Sequence, residues 1–179
     1  MIPLFDNRSV GREIKVDLDV YYEAFLLTDK DLQEHFGREA INPDSPVYVG
    51  LNRQEMIYWR DRLVKERGIT PIKTEYRRSS NGHIHLKLVM SQEMSVLDGF
   101  MLRAWFLDDK TRLELDLKRY LLTNDLNEMN RCFDEKANAD GMKKCGPWIP
   151  LDCEPKGIPE KSELISRLMQ RINPQRTIT

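Results

Sequence analysis

Hydrophobic and polar residues alternate one by one in three stretches of the chain. These stretches cover residues 14–20, 71–78 and 83–90, and a period of two is the pattern of a strand that buries one face. Residues 79–82, Ser-Ser-Asn-Gly, separate the last two stretches and are typical of a tight turn. The pattern therefore predicts one isolated strand and, later in the chain, a hairpin.

Apolar residues recur at helical spacing in several other stretches. The clearest case covers residues 52–67, where Asn52 and Glu55 form a capping-box pattern and Gly68 marks the end. Less regular patterns predict further helices over about 28–36, 91–106, 109–123 and 161–172, and a short last strand over 129–133.

In chain order these elements read β-α-β-β-α-β, with the second helical unit split in two. This is the order of a ferredoxin-like or RNA-recognition-motif-like α+β fold, in which helices pack on one face of an antiparallel sheet. A chain of 179 residues is most simply one domain. We expect its core over about residues 12–136, a C-terminal loop and helix over 137–179, and the first and third strands as central neighbours.

The polar faces of the first and third strands carry the candidate chemistry. Asp17 and Asp19 share one face of the first strand, and His83, His85 and Lys87 share one face of the third. If the apolar faces of both strands meet the helices, all five side chains converge on the open face. Carboxylates suit Mg²⁺ or Mn²⁺, and imidazole adds affinity for Mn²⁺. The pattern predicts a Mg²⁺ or Mn²⁺ site, with a merely polar sheet surface as the alternative.

The charge balance limits how a nucleic acid can bind. The chain has 28 Lys and Arg against 29 Asp and Glu, a formal charge of −1, so no global basic field attracts phosphates. A nucleic-acid partner needs a local basic patch, for which the candidates are Arg77, Arg78 and Lys87.

Several features of the sequence predict a cytoplasmic protein with no membrane partner. No apolar run approaches the roughly 20 residues of a membrane span, and the first residues lack the pattern of a signal peptide. Cys132, Cys145 and Cys153 are odd in number and contain no C-x-x-C pair, which favours reduced thiols.

Three of these motifs together resemble the catalytic core of archaeo-eukaryotic primase-polymerases. They are the acidic pair in residues 16–19, the turn and histidines in 79–85, and the acid in 113–116. That core has an acidic pair on one strand, a Ser/Gly turn leading to a histidine on another, and a third acid downstream. It is built on a modified recognition-motif sheet, the same strand and helix order as above.

The primase-polymerase resemblance implies a nucleotidyltransferase activity. It assigns metal binding to Asp17, Asp19 and Asp116, and contact with a nucleotide phosphate to His83 or His85. An inactive relative of the family is the alternative. Residues 77–136 also resemble small uncharacterised proteins from archaea and their viruses, a likeness that implies no function.

Two other classes remain open. His83-Ile84-His85 is similar to the His-hydrophobic-His pattern of rolling-circle nickases, in which two histidines hold a metal and a helix tyrosine attacks the phosphate. Tyr120 lies downstream on a helix, but it belongs to an apolar stripe, so we expect it in the core. The third class is a non-catalytic binding or structural protein. Base stacking is not expected in it, since Tyr21 is the only aromatic residue predicted on the open face.

Overall fold

Three long strands form most of an antiparallel sheet in the computed structural model, which describes residues 8–129 and 145–173. β1 covers Glu13–Tyr21, β2 covers Pro71–Arg78 and β3 covers His83–Met90. A short strand β4, Ile149–Pro150, pairs with β2, and the sheet order is β1-β3-β2-β4.

Six α-helices accompany the sheet within the described residues. None of them is long and apolar enough to cross a membrane. They are α1 (Tyr22–Leu26), α2 (Asp29–Phe36), α3 (Arg53–Arg67), α4 (Val96–Trp105), α5 (Lys110–Thr123) and α6 (Lys161–Ile172), with short 3₁₀ helices at Arg38–Ile41 and Leu126–Met129.

The α+β class and the ferredoxin-like arrangement are confirmed. β1 and β2 flank β3, and both run antiparallel to it. The fourth strand is a correction: it lies beside β2 and comes from the predicted C-terminal loop, so β1 is not a central strand of this order. The predicted strand over 129–133 begins in a 3₁₀ helix at Met129, and the rest of it lies outside the described residues.

One face of the sheet is buried against the helices, as the alternation predicts. The apolar side chains of β1 and β3 lie in a single core, and burying a side chain of this size contributes about 1.5–3 kcal/mol. The other face therefore remains for the polar residues. Core side chains exposed by 1% or less include Ile14, Val16, Leu18, Phe25, Met56, Ile84, Leu86, Leu88 and Phe106.

The loop between α4 and α5 covers the outer edge of β1. The Asp17 N–H donates to the Asp108 carboxylate at 2.8 Å, and the Asp17 carbonyl accepts from the Asp109 N–H at 2.8 Å. Asp108 is held in turn by Arg103 Nε at 2.6 Å and by Arg112 at 2.7 Å. These contacts satisfy backbone groups that an edge strand would otherwise expose.

Candidate functional site

The two acidic residues of β1 face the two histidines of β3 on the open side of the sheet. Asp17 lies opposite His85, and its Oδ1 is 4.0 Å from His85 Nε2. Asp19 Oδ1 is 3.7 Å from His83 Nδ1. The structure thus brings together the side chains that the sequence places on facing strands. We call Asp17 and His85 the inner pair, and Asp19 and His83 the outer pair.

The two pairs differ in their access to solvent. The side chain of His85 is 2% exposed and that of Asp17 is 19% exposed. In the outer pair, His83 is 34% exposed and Asp19 is 74% exposed. A ligand that approaches the sheet therefore meets the outer pair first, and the imidazole of His85 is closed to it in this structure.

The inner pair continues onto the third strand of the sheet. Arg77 of β2 lies opposite His85 of β3, and its Nε–H donates to His85 Nδ1 at 3.2 Å. Asp17, His85 and Arg77 therefore form one row across β1, β3 and β2.

Sequence reasoning missed a tryptophan on the open face. The Trp148 ring lies 4.4 Å from the guanidinium carbon of Arg77 and 4.3 Å from Lys87 Nζ, within the range of cation–π attraction. Just before it, the Gly146 N–H donates to the Arg78 carbonyl at 2.8 Å. The available signal was a lone Trp in a Pro- and Gly-rich loop, which does not indicate a position on the sheet.

Lys87 has a second partner on β2. Its Nζ lies 2.9 Å from Glu75 Oε2, and Lys73 Nζ lies 2.8 Å from Glu75 Oε1. Burial raises the pKa of Glu75, but the hydrogen bonds from Lys73 and Lys87 outweigh it and hold the pKa below its ordinary value. Lys87 is thus engaged by both Glu75 and Trp148.

Arg78 is the most accessible of the three predicted phosphate contacts. Its residue is exposed, and its guanidinium carbon lies 5.2 Å from the centre of the Tyr22 ring. Arg77 and Lys87, by contrast, both lie against Trp148.

The hairpin that carries His83 is held by α6. The Arg171 guanidinium lies so close to Gly82 that an added Cβ would be 2.6 Å from it, and Gly82 has a φ of +82°. Arg171 Nε also contacts the buried Glu23 carboxylate at 2.9 Å. The His83 ring meets the Tyr21 ring edge-on, with 5.3 Å between the ring centres. Arg171 of α6 thus contacts the turn that leads into His83.

Asp116 has arginine partners rather than a place on the open face. It is 1% exposed, and it accepts a hydrogen bond of 2.8 Å from Arg103. Arg112 Nε lies 3.8 Å from the same carboxylate. We call Arg103, Asp108, Arg112 and Asp116 the arginine network. Because guanidinium groups already neutralise Asp116 in the interior, we leave it out of the proposed metal ligands.

Tyr120 lies in the core, as its apolar stripe predicts. It is fully buried and packs on Phe100, with 6.1 Å between ring centres. A nucleophile must reach the scissile phosphate, so this position does not favour the nickase reading.

On the open face, the possible metal ligands are arranged in carboxylate–imidazole pairs and do not surround a single metal position. Within residues 8–129 and 145–173, no group of three or more His, Cys, Asp or Glu side chains is placed to hold a metal ion. Neither Cys145 nor Cys153 forms a disulfide with another described residue, and Cys132 lies outside the described residues.

Comparisons with known proteins give no independent assignment. No family model matches the chain, and neither a curated protein nor a solved structure matches it. The geometry of the open face is therefore the basis for proposing a function.

Proposed function

We propose that the open sheet face binds a nucleotide or nucleic acid through its phosphates, together with Mg²⁺ or Mn²⁺. The observation that carries this proposal is that the inner and outer pairs lie side by side on two neighbouring strands. Nucleotidyl transfer is the reaction that the primase-polymerase resemblance implies for such a site. We propose from the geometry only that the metal and the phosphates bind, which is the first requirement of that reaction.

The donor set fits a hard divalent ion that is shared with a ligand. Mg²⁺ usually binds one or two carboxylates and completes its shell with waters and substrate phosphates, so a cage of three protein ligands is not required. Two donors that each lie about 2.1 Å from one ion can be at most about 4.2 Å apart. The outer-pair distance of 3.7 Å is within that limit.

Asp19 and His83 are the proposed direct metal ligands, and Asp17 is proposed to hold a water of the ion's shell. When bound, the ion would neutralise phosphate charge and orient the phosphate oxygens. His83 is chosen over His85 because it is 34% exposed whereas His85 is 2% exposed. Arg78 lies opposite the core residue Ile84, so its side chain starts from the other face of the sheet, and we leave it out of the proposed phosphate contacts.

Manganese binding measured by electron paramagnetic resonance tests the proposal. Free Mn²⁺ gives a signal that is lost on binding, so a titration yields stoichiometry and affinity with and without a non-hydrolysable nucleotide. We expect one site per chain, tightened by the nucleotide and weakened about tenfold or more in Asp19→Asn and Asp17→Asn.

Asp44→Asn is the matched control, since it removes the same charge from an exposed position in a loop. It should leave the titration unchanged. If wild-type protein shows no saturable Mn²⁺ binding in the presence of nucleotide, or if all three variants behave alike, the open face is only a polar surface.

A further inference from the structure

The row of Asp17, His85 and Arg77 constrains where the proton of His85 resides. A neutral imidazole has one N–H donor and one acceptor nitrogen. An arginine Nε–H can only donate, and that of Arg77 lies 3.2 Å from His85 Nδ1. Nδ1 must therefore be the acceptor, and the ring proton must be on Nε2.

The other side of the ring faces a carboxylate. His85 Nε2, the nitrogen that carries the proton, lies 4.0 Å from Asp17 Oδ1, a carboxylate that we propose to help hold the metal. We infer that Arg77 fixes His85 as its Nε2–H tautomer, and that His85 orients Asp17 as a positioning residue and does not coordinate the metal.

The tautomer of His85 decides which imidazole on the open face can bind the metal, and this consequence rests on the proposed function. Metal coordination requires a ring nitrogen with a lone pair, but Nδ1 accepts from Arg77 and Nε2 carries the proton. Of the two imidazoles on the open face, only His83 remains able to coordinate. The tautomer itself does not depend on whether a metal binds.

Trp148 adds support from the other side of Arg77. Its ring lies 4.4 Å from the Arg77 guanidinium carbon, and the low exposure of His85, 2%, keeps water from competing for Nδ1. The tautomer is thus fixed by packing as well as by the hydrogen bond.

Long-range ¹⁵N–¹H NMR spectra of the full-length protein test the tautomer directly. They distinguish a protonated ring nitrogen from an unprotonated one, and His85→Gln identifies the His85 signals by their loss. We expect Nε2 protonated and Nδ1 unprotonated at neutral pH. In Arg77→Leu the two tautomers should mix, whereas Arg78→Leu, which removes the neighbouring charge, should leave His85 unchanged.

Mn²⁺ affinity separates positioning from coordination. The amide of His85→Gln can still donate an N–H toward Asp17, so affinity should stay close to wild type, whereas His85→Leu should lower it about tenfold. Two results would overturn the inference: an Nδ1–H or doubly protonated ring in the wild type, or equal loss of affinity in Gln and Leu. If no Mn²⁺ binds but the Nε2–H tautomer is found, the proposed function fails while the tautomer assignment stands.

Discussion

Two clusters of carboxylates in this protein differ in how far the carboxylate oxygens lie from the nitrogen atoms of their side-chain partners. In the arginine network, Asp108 and Asp116 accept hydrogen bonds of 2.6–2.8 Å from buried guanidinium groups. On the open face, the carboxylate–imidazole distances are 3.7 and 4.0 Å, longer than a hydrogen bond. The first cluster is buried and joined by short hydrogen bonds, whereas on the open face the carboxylates stand further from the imidazoles and the outer pair is open to solvent.

This difference favours a structural role for the first cluster and agrees with the ligand-binding role that we propose for the second. Buried charges that lose a partner are strongly destabilising, whereas solvent-exposed charges contribute little to folding. Substitutions in the two clusters should therefore separate stability from binding.

We expect the largest effect on stability from removing a guanidinium group of the arginine network. Arg103→Leu leaves Asp108 and Asp116 without the guanidinium that bonds to both, and Arg103 is fully buried. We expect the free energy of unfolding to fall by about 3–5 kcal/mol, measured by urea denaturation.

Two matched variants test this first prediction. Arg119→Leu removes a half-exposed arginine, 3.7 Å from Asp116, and Asp19→Asn removes a charge of the outer pair. Each should change stability by less than about 1 kcal/mol. If Arg103→Leu costs no more than these two, the arginine network does not have the structural role described above.

The next largest effect concerns the hairpin that holds His83. Gly82→Ala forces a residue with a side chain into a φ of +82° and pushes its Cβ against Arg171, which pairs with the buried Glu23. The left-handed backbone alone costs about 1–2 kcal/mol, and we expect a larger total loss in thermal or urea unfolding.

Gly157→Ala isolates the backbone contribution. Gly157 has a φ of +69° and nothing within 4 Å of an added Cβ, so its loss should be smaller by about 1 kcal/mol, the scale for disturbing a charged buried contact. Equal losses at Gly82 and Gly157 would show that Arg171 does not hold the turn.

A smaller effect is expected from two neighbouring carboxyl groups, those of Glu55 and Asp29. Burial raises the pKa of Glu55 to about 7, and a hydrogen bond and negative charge from Asp29 act in the same direction. Because the folded protein binds this proton more tightly, its stability is full below pH 4.5 and falls as the pH rises to about 7. Glu55 is half-buried, so we expect a loss of about 1–2 kcal/mol.

Urea denaturation at pH 5 and pH 8 measures this loss. Glu55→Gln removes the titrating group and should be the more stable protein at pH 8, with a smaller difference between the two pH values. An undiminished pH dependence in Glu55→Gln would assign the effect to other groups.

The sequence predicts the parts of this molecule that have a local period. Alternation places β1 and β3 with their polar faces outward, and the cap at Asn52 and the stop at Gly68 locate α3. The facing of Asp17 with His85 follows from that alternation and from the order of the fold. The alternation and the β-α-β-β order were sufficient to predict that these two residues face each other.

Contacts between segments that are far apart in the sequence could not be predicted from local periodicity. Trp148 reaches Arg77 from 71 positions away, and the segment around it is aperiodic, so its position on the sheet could not be predicted. Arg103 and Arg112 resemble solvated charges in a helical sequence but are buried. The order of acidic residues along the chain predicts a metal ligand at Asp116. In the structure Asp116 contacts Arg103 and Arg112, and the sequence carries no local signal for this packing.

The most direct test of the account is the broadening of the three histidine side-chain NMR signals by Mn²⁺ in the presence of a non-hydrolysable nucleotide. His35, on α2, serves as an internal reference within the same protein. We predict that substoichiometric Mn²⁺ broadens His83 and His85 strongly and His35 weakly, and that Asp17→Asn and Asp19→Asn reduce the selective broadening. Equal or absent broadening of all three signals would contradict a metal site on the open sheet face.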